Sequence, residues 1–249
     1  MQTSSNFDLF GHKIIADVLL RDKFIEPPFS VLDTKSGSWQ KRKNQWKTIG
    51  IKSEVGRSAK TFNLGMGATK ENGWELEDNA GSGVSIFDPA LCEVIYHWFC
   101  DGGGQILDPF SGGSVRGIVA NKLGYKYTGI DIRQEQIDSN RDQALEILDV
   151  TNQPQWYVGD SNDVLEGFTK QFDLVFSCPP YADLEVYSDL PGDISNMDYK
   201  HFLESYRSII KKSCALLKTG CYAVFVVGEV RDKKGNYIGF VPDTIKAFV

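Results

Sequence analysis

The stretch Gln105–Gly117 (QILDPFSGGSVRG) decides how the chain is read. It has the pattern of a buried strand ending at Asp108, a tight loop over Phe110–Gly113 and a helix starting from Ser114. In α/β proteins a parallel strand that enters a helix through glycines opens a crevice at its carboxyl end. Bare backbone at the glycines lets a ligand approach closely. The loop is not the dinucleotide fingerprint G-x-G-x-x-G, and the carboxylate of Asp108 would repel a pyrophosphate. An acid at this position suits a cofactor with a positively charged amino-acid end, such as S-adenosylmethionine.

On the carboxyl side of this stretch, strand and helix patterns alternate. Val115–Leu123 reads as a helix, Tyr125–Ile132 as a strand ending in Asp131, and Gln134–Leu148 as a helix. Trp156–Val158 is a short strand followed by Gly159, Asp160 and Ser161. Phe172–Ser177 is a fourth strand and Tyr199–Leu217 a helix, with Gly220 expected to break it. Tyr222–Val227 is a fifth strand, Asp232–Gly235 a hairpin turn, and Pro242–Val249 the start of another helix. Strands separated by helical patterns imply right-handed crossovers and an α/β fold with a doubly wound, mostly parallel sheet. Sheets of this type usually carry further strands, so the chain is expected to continue beyond Val249.

On the amino side, Ser85–Pro89 opens a helix, with Asp88 as N-cap and Pro89 in its first turn. Leu91, Val94, Ile95, Trp98 and Phe99 follow at core spacing. Cys92, His97 and Cys100 fall on different faces of that helix, so they are read as structural and no metal site is expected. Residues 1–83 read as an extension to the core at 84–249. The extension holds one amphipathic pattern at Lys13–Phe24, a linker turn at Pro27-Pro28, and a polar, glycine-rich region over 30–83 expected to be loop or a small irregular lobe.

The 249 residues, 41% hydrophobic and 24% charged, have the composition of a globular protein with a sizeable core. No apolar run is long enough to span a bilayer, and the polar start has no apolar leader region. Five scattered cysteines argue for a reducing compartment, so a cytoplasmic protein is expected. A net charge of −6 argues against nonspecific coating of nucleic acid, but a local basic face is compatible with it. Eight lysines and arginines between Lys35 and Lys60 stand against Glu54 alone, with Trp39, Trp46 and Phe62 interleaved. This tract is either solvated surface or the candidate DNA contact.

The strand ends carry the chemistry. Asp108, Phe110, Gly112 and Gly113 follow the first strand, and Asp131 with Ile132 closes the second. Asp160 and Ser161 follow the third; Ser177, Cys178, Pro179, Pro180 and Tyr181 follow the fourth. In a doubly wound sheet these ends converge on one crevice. Asp131 is placed to accept two ribose hydroxyls, and Asp160 to take an adenine amino group. The two prolines fix the φ angles of their turn and remove two donors, so its carbonyls face the crevice as rigid acceptors. Tyr181 offers a ring on which a planar base stacks.

These motifs resemble those of the S-adenosylmethionine-dependent DNA amino-methyltransferases, which modify adenine-N6 or cytosine-N4. Asp108–Gly113 (DPFSGG) is similar to their cofactor loop and Cys178–Tyr181 (CPPY) to their catalytic turn. Ser85–Pro89, with Phe87 and Asp88, is similar to the segment that lines their methionine pocket. Val226–Asp232, with Gly235 and Pro242, resembles their post-catalytic strand and hairpin, in the phage-associated branch in particular. The resemblance covers about 84–249 and implies a Rossmann-like methyltransferase fold, S-adenosylmethionine as cofactor, and a flipped base in DNA as substrate, in a restriction-modification or phage setting. Ser114 stands where the family has its second glycine, and Cys178 where it has Asp, Asn or Ser. A thiol is a poor acceptor, so either Ser177 supplies the oxygen or the Pro179 carbonyl does more of the work. The target base stays open. An RNA or protein-amide methyltransferase using the same pocket, and an inactive cofactor- or DNA-binding scaffold, stand as alternatives. Carbon methylation through a covalent Cys178 adduct is disfavoured, because that chemistry places its cysteine after a single proline.

Overall fold

The computed structural model describes residues 32–52, 87–181, 188, 190, 192–232 and 234–249. The helix expected at Lys13–Phe24, the Pro27-Pro28 turn and most of the polar region up to residue 83 lie outside the described residues.

Helix α1 (Gly37–Lys47) precedes α2 (Pro89–Phe99). The alternating core follows: β1 (Gln105–Asp108), α3 (Val115–Lys122), β2 (Lys126–Asp131), α4 (Gln134–Ile147), β3 (Gln155–Val158), α5 (Ser161–Glu166) and β4 (Phe172–Ser177). A 3-10 turn (Ile194–Asn196), α6 (Tyr199–Ala215), β5 (Leu217–Phe225) and α7 (Phe240–Ala247) complete it. The five strands form one sheet in the order β3-β2-β1-β4-β5, and every pairing is parallel. The order reverses between β1 and β4, so the crevice at their carboxyl ends is the topological switch point where open α/β sheets bind ligands.

Alternation along the strands builds the two faces. Ile106, Tyr127, Leu174 and Phe176 pack under α2, α3 and α4 with Trp46 of α1. Leu107, Ile130, Phe172 and Val175 face Leu165 and Ile209 on the other side. An apolar band beside them joins Phe202, Tyr206 and Ile210 of α6 to Phe240 of α7. Asp88 caps α2 as its sequence predicts, accepting from the backbone amides of Ala90 and Leu91 at 2.9 and 3.4 Å. The expected hairpin is also present, closed by an antiparallel bridge between Arg231 and Tyr237.

Two expectations change. The fifth strand begins at Leu217, well before the expected Tyr222. Gly220, at φ 82°, lies inside it and not at the end of a helix. The register against β4 shifts between Phe172 and Leu174, and a bulge there needs a residue free to turn left-handed. The polar region also contains helix α1. Its inward side is built from Trp39, Arg42, Lys43 and Trp46, so half of what it turns to the protein is cationic and no apolar stripe marks it.

Candidate cofactor and substrate site

The carboxyl ends of β1, β2, β3 and β4 enclose a cavity of about 570 Å³, within the range of pockets that hold small molecules and cofactors. Thirteen of the fifteen residues singled out in the sequence line it: Phe87, Asp88, Phe110, Gly112, Gly113, Asp131, Ile132, Asp160, Ser161, Cys178, Pro179, Pro180 and Tyr181.

The loop after β1 is shaped from below. Gly112 is the residue that turns left-handed (φ 48°), and its carbonyl accepts from Asn140 Nδ2 at 2.7 Å. Ser161 Oγ donates to the Pro109 carbonyl at 2.5 Å, tying the start of α5 to the same loop. Ser114, at the family's glycine position, donates from Oγ to Gln143 Oε1 at 2.7 Å and lines the cavity.

Asp108 and Ser177 do not line the cavity, which corrects two expectations. Asp108 is fully buried and its carboxylate is engaged on both oxygens. Oδ2 accepts from Arg116 Nε at 2.5 Å and from the Tyr127 hydroxyl at 2.6 Å; Oδ1 accepts from Ser177 Oγ at 2.5 Å and from the Phe110 amide at 3.2 Å. Asp108 thus anchors the loop from within the core. Ser177 is equally buried, with its hydroxyl bonded to Asp108, so it supplies no oxygen to a substrate. Burial, and then the neighbouring Asp108, push the Tyr127 hydroxyl well above its usual pKa and keep it a donor. Burial opposes the charge on Arg116, but Asp108 beside it outweighs that and holds the guanidinium ionised. Arg116 also donates to the carbonyls of Phe110 and Ser111 at 2.7 and 2.9 Å, and lies 4.6 Å over the ring of Phe87. One buried cation therefore fixes two pieces of the cavity wall, Phe87 and the Phe110 loop.

At the end of β2, Asp131 Oδ1 accepts from the Arg133 amide at 2.9 Å, with the Arg133 guanidinium 3.8 Å away. Burial raises the Asp131 pKa, against the pull of Arg133 and of the backbone donors from Arg133 and Gly112. Asp160 caps α5 through the Asn162 amide at 2.8 Å and turns into the cavity beside Gly192 and Asp193. At the end of β4, Tyr181 meets Phe240 edge-on, the ring centroids 5.9 Å apart.

The sequence did not single out Arg116, Arg133, Asn140 and Gln143, which also line the cavity, and it counted Lys43, another lining residue, only within the basic tract. Three polar residues at helical spacing on α4 (Gln136, Asn140 and Gln143) were the available signal. Each is buried on a face that ought to be apolar. Gln136 Nε2 donates to Asn140 Oδ1 at 2.9 Å, and the Arg133 guanidinium to Gln136 Oε1 at 2.7 Å, so the stripe relays from β2 to the glycine loop.

Basic residues of the Lys35–Lys60 tract turn toward the protein. Arg42 forms a two-pronged pair with Glu93 (2.7 and 2.6 Å), Lys43 sits 3.6 Å from Asp88, and Lys52 Nζ is 3.5 Å from Glu146. Arg57 and Lys60 lie outside the described residues. Among the described residues no three His, Cys, Asp or Glu side chains gather as a metal site would require, and no helix is long and apolar enough to cross a membrane.

A parallel 3-2-1-4-5 sheet, an acid closing its second strand and a half-open crevice at the switch point decide the architecture. It is a Rossmann-like, doubly wound parallel fold. Its crevice, with Asp131 and Asp160 at the strand ends and a glycine loop beneath, fits S-adenosylmethionine. No family model matches the chain. A tRNA (guanine(10)-N2)-dimethyltransferase of Pyrococcus abyssi is 34% identical over 113 residues, which is 45% of this chain and 32% of that protein. The chain thus spans about a third of the length of this curated relative. Among solved structures, TrmN of Thermus thermophilus aligns at 16% identity over 56% of this chain and 38% of its own, with a TM-score of 0.45. A TehB-like SAM-dependent methyltransferase of Corynebacterium glutamicum aligns at 18% identity over 68% of this chain and 76% of its own, with a TM-score of 0.42.

Proposed function

We propose that the chain transfers a methyl group from S-adenosylmethionine to the exocyclic amino nitrogen of a nucleic-acid base. The observation that carries this is the Cys178–Tyr181 turn opening onto the same cavity as Asp131, Asp160 and Gly112. The bound cofactor supplies an electrophilic methyl on a sulfonium; the chain's own residues hold and orient. Asp131 accepts from the ribose hydroxyls, Asp160 from the adenine amino group, and Phe110 and Ile132 enclose the purine.

With Ser177 committed to Asp108, the acceptors for the incoming amine are backbone carbonyls of the Cys178–Pro180 turn. Proline rigidity keeps them aimed without reorganisation, which is where preorganised dipoles contribute most. Tyr181, backed by Phe240, is the platform for the base. Positioning of this kind contributes through near-attack geometry, with no covalent enzyme intermediate. A base in a paired stem is out of reach, so it enters the cavity flipped or from a single strand.

The relative acts on the exocyclic amine of a guanine in tRNA, and it favours RNA as the carrier of the base. The resemblance of the sequence motifs favours adenine or cytosine in DNA. Radiolabel transfer to tRNA, bulk RNA, duplex DNA and protein, run side by side and followed by mass analysis of digested nucleosides, separates these substrates. Label on an exocyclic nitrogen is expected, with RNA the stronger acceptor. Label confined to protein, or a ring-carbon methyl, overturns the proposal. Within the same assay, Cys178→Ser is expected to retain turnover. Tyr181→Ala is expected to lose stacking worth about 1–3 kcal/mol in the catalytic step while sparing cofactor affinity. Loss of activity in Cys178→Ser together with 5-methylcytosine from the parent enzyme would point to covalent chemistry instead.

A further inference from the structure

We infer that the segment before the core completes the cofactor site, with Lys43 as the residue that holds the carboxylate of the cofactor's amino-acid end. The inference rests on the cofactor assigned above and adds a residue from the basic tract, which the sequence left as either solvated surface or DNA contact.

Helix α1 is fastened to α2 by a polar clamp. Trp39 Nε1 donates to Asp88 Oδ2 at 3.0 Å, and Trp46 Nε1 donates to Glu93 Oε2 at 2.8 Å, beside the Arg42–Glu93 pair. Gln143 then fixes the following turn, donating from Nε2 to the Lys52 carbonyl at 2.9 Å and accepting from the Lys52 amide at 3.2 Å. The clamp leaves the ammonium of Lys43 in the cavity wall next to Phe87 and Asp88, with its side chain 25% exposed.

Among the other lining cations, Arg116 is saturated by Asp108 and two loop carbonyls, and Arg133 is bonded to Gln136. The side chain of Lys52, 63% exposed, lies 3.5 Å from Glu146 on the solvent side and not beside Asp88. Lys43 has only a loose 3.6 Å approach to Asp88 Oδ2, an oxygen already accepting from Trp39. The polarity of the cavity assigns its ends. Asp131 and Asp160 stand at the strand ends suited to the nucleoside, while Lys43 and Asp88 stand together at the α2 end. An ammonium beside a carboxylate is the arrangement that a zwitterionic amino acid requires, and the carboxylate of the ligand gives Lys43 the close partner it lacks.

Calorimetry on the full chain tests this with two ligands: S-adenosylmethionine, and 5′-methylthioadenosine, which lacks the amino-acid end. Lys43→Gln is expected to weaken S-adenosylmethionine roughly tenfold or more, as loss of a charged hydrogen bond does, and to leave 5′-methylthioadenosine unchanged. Lys43→Arg is expected to restore much of the loss. Lys41→Gln, which removes an exposed charge from the same helix, is expected to change neither ligand. Unchanged S-adenosylmethionine affinity in Lys43→Gln, or equal weakening of both ligands, overturns the assignment. If the parent protein binds neither ligand, the cofactor reading itself has failed, a result distinct from failure of Lys43.

Discussion

Asp131 has to be ionised where burial disfavours the charge. Its carboxyl pKa in the folded chain is raised above the unfolded value near 3.8, so folding favours the protonated form. That contribution is whole below the unfolded value and is lost as pH rises through the folded one. In neutral solution the ionised group therefore costs the ligand-free protein stability, a penalty for keeping the ribose acceptor proposed above. Asp131→Asn keeps an oxygen for the Arg133 amide and removes the charge. Its melting temperature at pH 7 is expected to match or exceed that of the parent, with the gap closing toward pH 4, while S-adenosylmethionine affinity falls. A variant that melts well below the parent at pH 7 would show that Asp131 serves the fold and not the ligand. Asp108 is the opposite case, a carboxylate whose charge is wholly answered by Arg116, Tyr127, Ser177 and the Phe110 amide. Arg116→Met leaves that charge buried without its cation, a change expected to cost about 3–5 kcal/mol in urea unfolding.

At the scale of elements, α1 is held by polar contacts more than by apolar area. Trp46 is its buried anchor, and Glu93 receives both that indole and Arg42. Glu93→Ala is expected to speed amide hydrogen exchange across Gly37–Lys47 while the amides of β1 and β4 keep their protection, as local opening of a weakly buried unit does. Uniform acceleration across the sheet would mean that α1 and the core open together. The same polar docking explains why α1 was hidden in the sequence. Periodicity reports apolar stripes, and a helix that turns Arg42 and Lys43 inward shows none. Strands β1, β2 and β4 were legible because each carries a buried run bounded by Gly, Asp or Pro, and Phe172–Ser177 matches to the residue. Gly220 misled because a glycine at a helix end and a glycine in a bulge look alike until strand pairing is known. In the site, residue type located the crevice, but side-chain direction could not be read. Asp108 and Ser177 sit one step from the lining and turn into the core, whereas Asn140 and Gln143 reach the loop from a helix that carries no motif.

The whole molecule carries a net charge of −6, and its strand-end crevice displays Asp131, Asp160 and Asp193. With that overall charge, and four acids balanced by four cations in the crevice lining, a polyanionic substrate meets no favourable long-range field, so few phosphates can be neutralised on binding. Of the Lys35–Lys60 tract, Arg42 is committed to Glu93 and Lys43 turns into the cavity wall beside Asp88, while Lys52 stays largely exposed near Glu146. Substrate affinity should then come from stacking and pocket fit at Tyr181 more than from counterion release. The salt dependence reports the balance, since each neutralised phosphate adds about 0.7 to the slope on a single strand. For the RNA or DNA that accepts methyl groups, a log–log slope no steeper than about −2, equivalent to about three phosphates, is expected. Lys41→Gln, at an exposed position, should lower the slope by no more than one phosphate's share. Arg42→Gln should instead lower the melting temperature, because its loss strands Glu93. A slope of about −5 or steeper that Arg42→Gln flattens without loss of stability would return the basic tract to the nucleic-acid surface.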